Sequence, residues 1–130
     1  MNGIQLDFVA DSSAIICFVR GDSEVKETLR GKRFAITFVT MAELSYGALK
    51  AVNKAAWLQV VEPILNQKIF HVSPRTPAIY ANIRYDLERR GQMIKTNDIW
   101  IAALAIEANL PLLARDEHFS RVSGLAVIKC

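Results

Sequence analysis

The sequence predicts an α/β protein in which a parallel sheet is covered by helices on both faces. Two observations carry that expectation. Short apolar segments that read as strands alternate with segments of helical length, the order that βαβ units produce. The chain's 130 residues, 52% of them hydrophobic, with 6 glycines and 4 prolines, suit a buried core and exclude disorder, collagen-like repeats and low complexity. No internal repeat, linker or second domain is visible, so residues 1–130 read as one domain.

Gln5–Ala10 reads as the first strand, and Asp11-Ser12-Ser13, all good N-cap residues, open a helix through Ala14–Val19. Asp22 and Ser23 begin a second short helix that Gly31 closes. Arg33–Val39 alternates around Phe34, Ile36 and Phe38, a strand pattern. Thr40 then caps a helix to about Lys50, a further helix covers Ala55–Asn66, and Lys68–Val72 is a third strand. Ser73–Arg90 reads as a long helix with Pro74 or Pro77 in its first turn and Gly91 just past its end. Asn97 caps a very apolar helix, Asp98–Ala108, stopped by Asn109 and Pro111. Leu110–Ala114 is a buried strand, Asp116–Phe119 a turn of helix, and Leu125–Lys129 the last strand.

The 16 Lys and Arg against 13 Asp and Glu give +3, a balance that allows a polyanionic partner without demanding one. Cys17 and Cys130 cannot form a disulfide framework and show no metal-ligand spacing. The N-terminus lacks a basic segment followed by an apolar one, and the longest apolar run, Ile99–Ile106, is far shorter than a membrane span. These features predict a cytoplasmic protein with no membrane partner.

The acidic residues are unevenly placed. In open α/β sheets, sites lie beyond the carboxyl ends of the strands, and Asp11, Glu43, Asp98 and Asp116 fall at that edge. Converging carboxylates repel one another, which raises their pKa values. A divalent cation relieves the repulsion, and Mg²⁺ takes a few carboxylate oxygens, keeps several waters and binds substrate phosphate. An acidic pocket in a basic protein suits metal-dependent hydrolysis of a nucleic acid, with Lys and Arg holding phosphates around it. Each acid also has a plain structural role: Thr40-Met41-Ala42-Glu43 is a capping box, Asp98 gains from a helix dipole, Asp11 is an ordinary N-cap, and Asp116 is a turn former.

Four blocks of this chain resemble the PIN-domain family, specifically the VapC-type toxins of prokaryotic toxin–antitoxin systems. Phe8–Ile16 is similar to the family's first strand and its aspartate turn, and Phe38–Gly47 to the block carrying its glutamate. Asn97–Ala103 resembles the block in which an aspartate opens a hydrophobic helix, and Leu112–Phe119 with Val122–Leu125 the terminal block. The resemblance implies a PIN-like three-layer α/β/α sandwich with a central, mainly parallel sheet. It makes Asp11, Glu43, Asp98 and Asp116 the catalytic and metal-binding quartet for Mg²⁺ or Mn²⁺. It also implies an endoribonuclease that cuts structured RNA, commonly tRNA or rRNA, leaves 5′-phosphate and 3′-hydroxyl ends, forms a homodimer and is inhibited by a cognate antitoxin protein.

Two positions depart from the family pattern. The usual Thr-Asn after the first aspartate is Ser12-Ser13, whose hydroxyls can still donate. The Thr two residues before the last acid is Ala114, which cannot. Solvated surface charge is the preferred reading of Lys95, Arg115 and Arg121, core packing of Tyr80, Tyr85 and Trp57, and a satisfied surface histidine of His118. A non-catalytic PIN-fold module for RNA binding or regulation is the alternative function. A receiver domain is excluded because serines follow Asp11, and neither a Gly-x-Gly-x-x-Gly nor a P-loop pattern is present. Setting the four site acids aside, nine remain against 16 cations, so the surface that RNA meets is more positive than +3 suggests.

Overall fold

In the computed structural model, which describes residues 5–130, alternate strand residues feed two different cores. Val9, Leu112 and Ala114 pack into one, while Phe8, Ala10 and Leu113 pack into the other. That period of two is what a sheet buried on both faces requires. The strands are β1 (Phe8–Ala10), β2 (Phe34–Thr37), β3 (Lys68–Phe70), β4 (Leu112–Ala114) and β5 (Val127–Lys129), in the order β3-β2-β1-β4-β5. Every pairing is parallel, with Phe8 opposite Phe34 and Val9 opposite Leu112. Met1–Ile4, part of the N-terminal segment considered above for a leader, lie outside the described residues.

The helices are α1 (Ser12–Val19), α2 (Ser23–Leu29), α3 (Phe38–Lys50), α4 (Lys54–Leu65), α5 (Thr76–Arg89) and α6 (Thr96–Glu107). Ala14 and Ile15 of α1, Val25 of α2, Leu44 of α3 and Val61 of α4 cover one sheet face. Ile83 and Leu87 of α5 and the buried Ile99–Ala105 stretch of α6 cover the other. This is the expected three-layer α/β/α sandwich. The chain leaves β1 towards β2 on one side and reaches β4 on the other, so the strand order reverses between β1 and β4, where α/β sheets open a crevice.

The strands are shorter than predicted: Gln5–Asp7, Leu110–Pro111 and Leu125–Ala126 lie outside them, and Phe38 and Val39, expected to end the second strand, form the first turn of α3 instead. Two caps also differ. Thr37, not Thr40, caps α3: β2 runs into the helix with no loop, and the Thr37 hydroxyl accepts from the Thr40 N–H at 3.5 Å. Lys95 rather than Asn97 stands at the N-cap of α6, leaving Asn97 inside the first turn. Helix α5 begins at Thr76 because Ser73 forms a turn in front of it: the Ser73 N–H donates to the Thr76 hydroxyl at 2.8 Å, and both hydroxyls donate to the Glu107 carboxylate at the end of α6. Gly31 and Gly91 follow their helices at φ 70° and 64°, a left-handed conformation that glycine adopts without strain. The predicted turn at Asp116–Phe119 is a 3-10 helix, Glu117–Arg121, with Asp116 as its cap. Among the described residues, no helix is long and apolar enough to cross a membrane.

Candidate active site

Each predicted acid arrives by its own route. Asp11 ends β1 and caps α1, and its backbone N–H donates to Leu113 O of β4 at 2.8 Å, which ties it to the crevice. Only 2% of Asp11 is exposed, and Oδ2 accepts both the N–H and the hydroxyl of Ser13. Glu43 lies on α3, which starts directly where β2 stops. Asp98 is in the first turn of α6 on the opposite face of the sheet. Asp116 follows β4, and its Oδ1 accepts the His118 backbone N–H at 2.9 Å. All four line one open cavity of about 430 Å³, together with Ser12, Ser13, Arg20, Lys95 and Asn97. A buried hydrogen bond of 2.8 Å between the Ser12 and Thr40 hydroxyls joins α1 to α3 beneath it.

A model of the PIN domain matches residues 8–125. The chain belongs to the PIN-domain family. Among its relatives in that family, it is 32% identical to ribonuclease VapC5 of Mycobacterium tuberculosis over 124 residues, covering 93% of this chain and 91% of the relative. It is 34% identical to ribonuclease VapC2 of Haemophilus influenzae over 95 residues, 72% of each chain. Its fold is similar to a solved structure from M. tuberculosis, VapBC-5, a member of the VapBC family of toxin–antitoxin systems. That match has a TM-score of 0.79 and 29% identity, and covers 95% of this chain and 98% of that one.

Within this PIN-fold cavity the carboxylates strain one another. Burial, and then the charges of Asp11, Asp116 and Glu43, push the Asp98 carboxyl from 3.8 up to about 6, against the pull of Lys95. Burial also raises Asp11, opposed by its Ser13 and Ser12 hydrogen bonds and reinforced by Asp116. Glu43 is an exposed residue, yet desolvation in the cavity raises its carboxyl, with Asp11 adding to the effect and Ser12 and Lys95 opposing it. Among the described residues, no three carboxylate, imidazole or thiol groups are gathered into a ready-made metal cage. Mg²⁺ needs no such cage, since it binds through one or two carboxylates and keeps its other waters. An all-oxygen donor set whose members repel one another therefore fits a hard divalent cation.

The capping-box reading of Glu43 does not survive, because Thr40 caps nothing and spends its hydroxyl on Ser12. Lys95 lines the cavity, whereas Arg115 pairs with Asp22 at 3.0 Å and Arg121 donates to the Met93 carbonyl at 3.1 Å. Tyr80 stacks on Trp100 with ring centroids 4.0 Å apart and packs on one core, and Trp57 packs on the other. Tyr85 overturns the core expectation: it is 65% exposed, on an outward position of α5 beneath the Arg89 guanidinium. Sequence reading missed Arg20 and passed over Asn97 as a cap. The available signal for Arg20 was its helical spacing from Ser12 and Ile16, which share the cavity wall with it.

Proposed function

We propose that this chain is a metal-dependent endoribonuclease, the toxin of a VapBC-type toxin–antitoxin pair, hydrolysing phosphodiester bonds in structured RNA of the tRNA or rRNA kind. One observation carries the reading: carboxylates from four separate segments of the chain line a single cavity whose rim holds Arg20 and Lys95. Asp11, Glu43, Asp98 and Asp116 would hold Mg²⁺ or Mn²⁺. Bound there, the ion supplies positive charge for the phosphoryl oxygens and a nucleophilic water at neutral pH.

The chain's own residues do the rest. Ser13 holds Asp11 by its N–H and its hydroxyl, and the Ser12–Thr40 bond fixes the floor between α1 and α3. Arg20 and Lys95 neutralise backbone phosphates on either side of the bond to be cut, a sequence-independent attraction that weakens with salt. The names of the relatives support ribonuclease activity, and the toxin–antitoxin family of the structural neighbour supports an antitoxin partner. A homodimer working in the cytoplasm, where RNA substrates are abundant, completes the reading.

The test is cleavage of total RNA by wild type and Asp98→Asn, with Mn²⁺ and with EDTA. Wild type with Mn²⁺ should cut and leave 5′-phosphate ends, and EDTA or the substitution should reduce the rate at least about 100-fold, the scale of losing charge stabilisation in a transition state. Equal cleavage by both proteins refutes the carboxylate site. RNA bound equally well in EDTA and Mn²⁺ but never cut marks a non-catalytic binding module.

A further inference from the structure

We propose that His118 is the positioning residue for Asp116, turning its carboxylate into the four-acid cavity in place of the hydroxyl that Ala114 lacks. The inference rests on the metal-nuclease reading of that cavity. His118 meets one oxygen of Asp116 at two points: its backbone N–H donates to Oδ1 at 2.9 Å, and its ring Nδ1 lies 3.0 Å from the same oxygen. A carboxylate oxygen met at two points of one residue is restricted in its rotation, which directs the second oxygen.

Asp116 needs such a restraint because it stands in a wall between two cavities. One is the four-acid cavity. The other, of about 380 Å³, is lined by Asp116, Glu117, Ser120, Val127 and Lys129. The Lys129 ammonium on that far side would draw Asp116 away, but it is paired with Glu117. The residues before Asp116 offer no alternative hold: Ala114 has no donor, and the Arg115 guanidinium is turned to Asp22. With His118 in place, the Asp116 charge is felt at both Asp11 and Asp98. Partners of this kind, one shell outside a ligating group, fix the ligand's orientation.

The experiment compares wild type with His118→Ala, His118→Asn and His118→Gln. The Asn amide nitrogen falls near the place of Nδ1, and the Gln nitrogen near that of Nε2. Binding of Mn²⁺ alone is measured by calorimetry, unfolding in EDTA by heat, and kcat and KM on RNA at limiting and excess Mn²⁺. Positioning through Nδ1 predicts that Ala and Gln weaken Mn²⁺ binding about 10-fold, that Asn stays within about 3-fold of wild type, and that excess Mn²⁺ restores kcat. All three variants binding Mn²⁺ like wild type overturns the proposal. So does equal weakening in all three together with a lower unfolding temperature, which marks a packing role. A wild type that neither binds Mn²⁺ nor cuts RNA overturns the nuclease reading along with it. A wild type that does both, matched by His118→Ala, overturns the positioning role alone.

Discussion

Replacing Asp98 with Asn should stabilise the metal-free protein and destabilise the metal-loaded one relative to wild type. The Asp98 carboxyl rises from 3.8 to about 6, and at about 1.4 kcal/mol per pKa unit its ionisation at neutral pH costs the folded state about 3 kcal/mol at most. The side chain is only half-buried, so solvent screening reduces that to about 1.5–2 kcal/mol. Asp98 also sits in the first turn of α6, where a carboxylate gains about 0.5–1 kcal/mol from the helix dipole that Asn gives up. The net gain is about 1 kcal/mol, or about 4 °C in Tm for a chain of this length. With Mn²⁺ at 100 times its Kd, wild type gains about 2.7 kcal/mol and the variant little, so the order of the two melting temperatures reverses. Differential scanning calorimetry of both proteins in EDTA and in Mn²⁺ reads this directly. A variant less stable than wild type in EDTA would refute the reasoning, and would make Asp98 a helix-terminus residue first.

Three further outcomes follow from the same structure. Asp11, Glu43 and Asp98 are all raised in the folded state, so their contribution to stability is greatest below their unfolded values and is lost as the pH rises, for Asp98 through about 6. Wild type in EDTA should therefore lose Tm relative to Asp98→Asn between about pH 4 and 7, and a constant gap across that range contradicts the shift. Thr40→Val keeps the side-chain shape but removes the buried bond to the Ser12 hydroxyl; urea unfolding should show a loss of about 0.5–1.5 kcal/mol, and an unchanged midpoint removes the bond from the account. Gly47→Ala improves helix propensity by about 1 kcal/mol, but its Cβ would lie 2.7 Å from the Trp57 ring, whose Nε1 donates to Leu44 O at 3.4 Å. Overpacking at about 1–3 kcal/mol should win, giving a less stable protein with altered Trp fluorescence, whereas a more stable variant shows that the ring moves freely.

The sheet edge was legible because its four acids sit beside signals that survive in one dimension: apolar strands, helix starts and an uninterrupted apolar helix. Glu43 misled for a local reason. Thr40-x-x-Glu43 has the spacing of a capping box, but that rule does not register that β2 enters α3 without a loop, which moves the cap to Thr37 and frees Glu43 for the cavity. Arg115 adjoins an acidic block in sequence and Arg20 does not, yet it is Arg20 that lines the cavity. Only the pairing of Arg115 with Asp22, distant along the chain, separates a structural cation from one on the cavity rim. His118 was passed over because its partner oxygen becomes special only once Asp116 is seen between two cavities. Tyr85 failed as a core residue because aromatic character alone does not say which side of α5 it occupies.

The pairing of β1 with β4 also governs when the site comes into being. Asp11 emerges early in synthesis, but its carboxylate companions on α6 and after β4 come from the last third of the chain, and the Asp11 backbone is tied down by Leu113. Contacts that span nearly the whole chain form late, because they must first pay the entropy of closing a long loop. A nascent chain that already carries Asp11 and Glu43 thus has no assembled carboxylate cavity until the segment from α6 through Asp116 has been made as well.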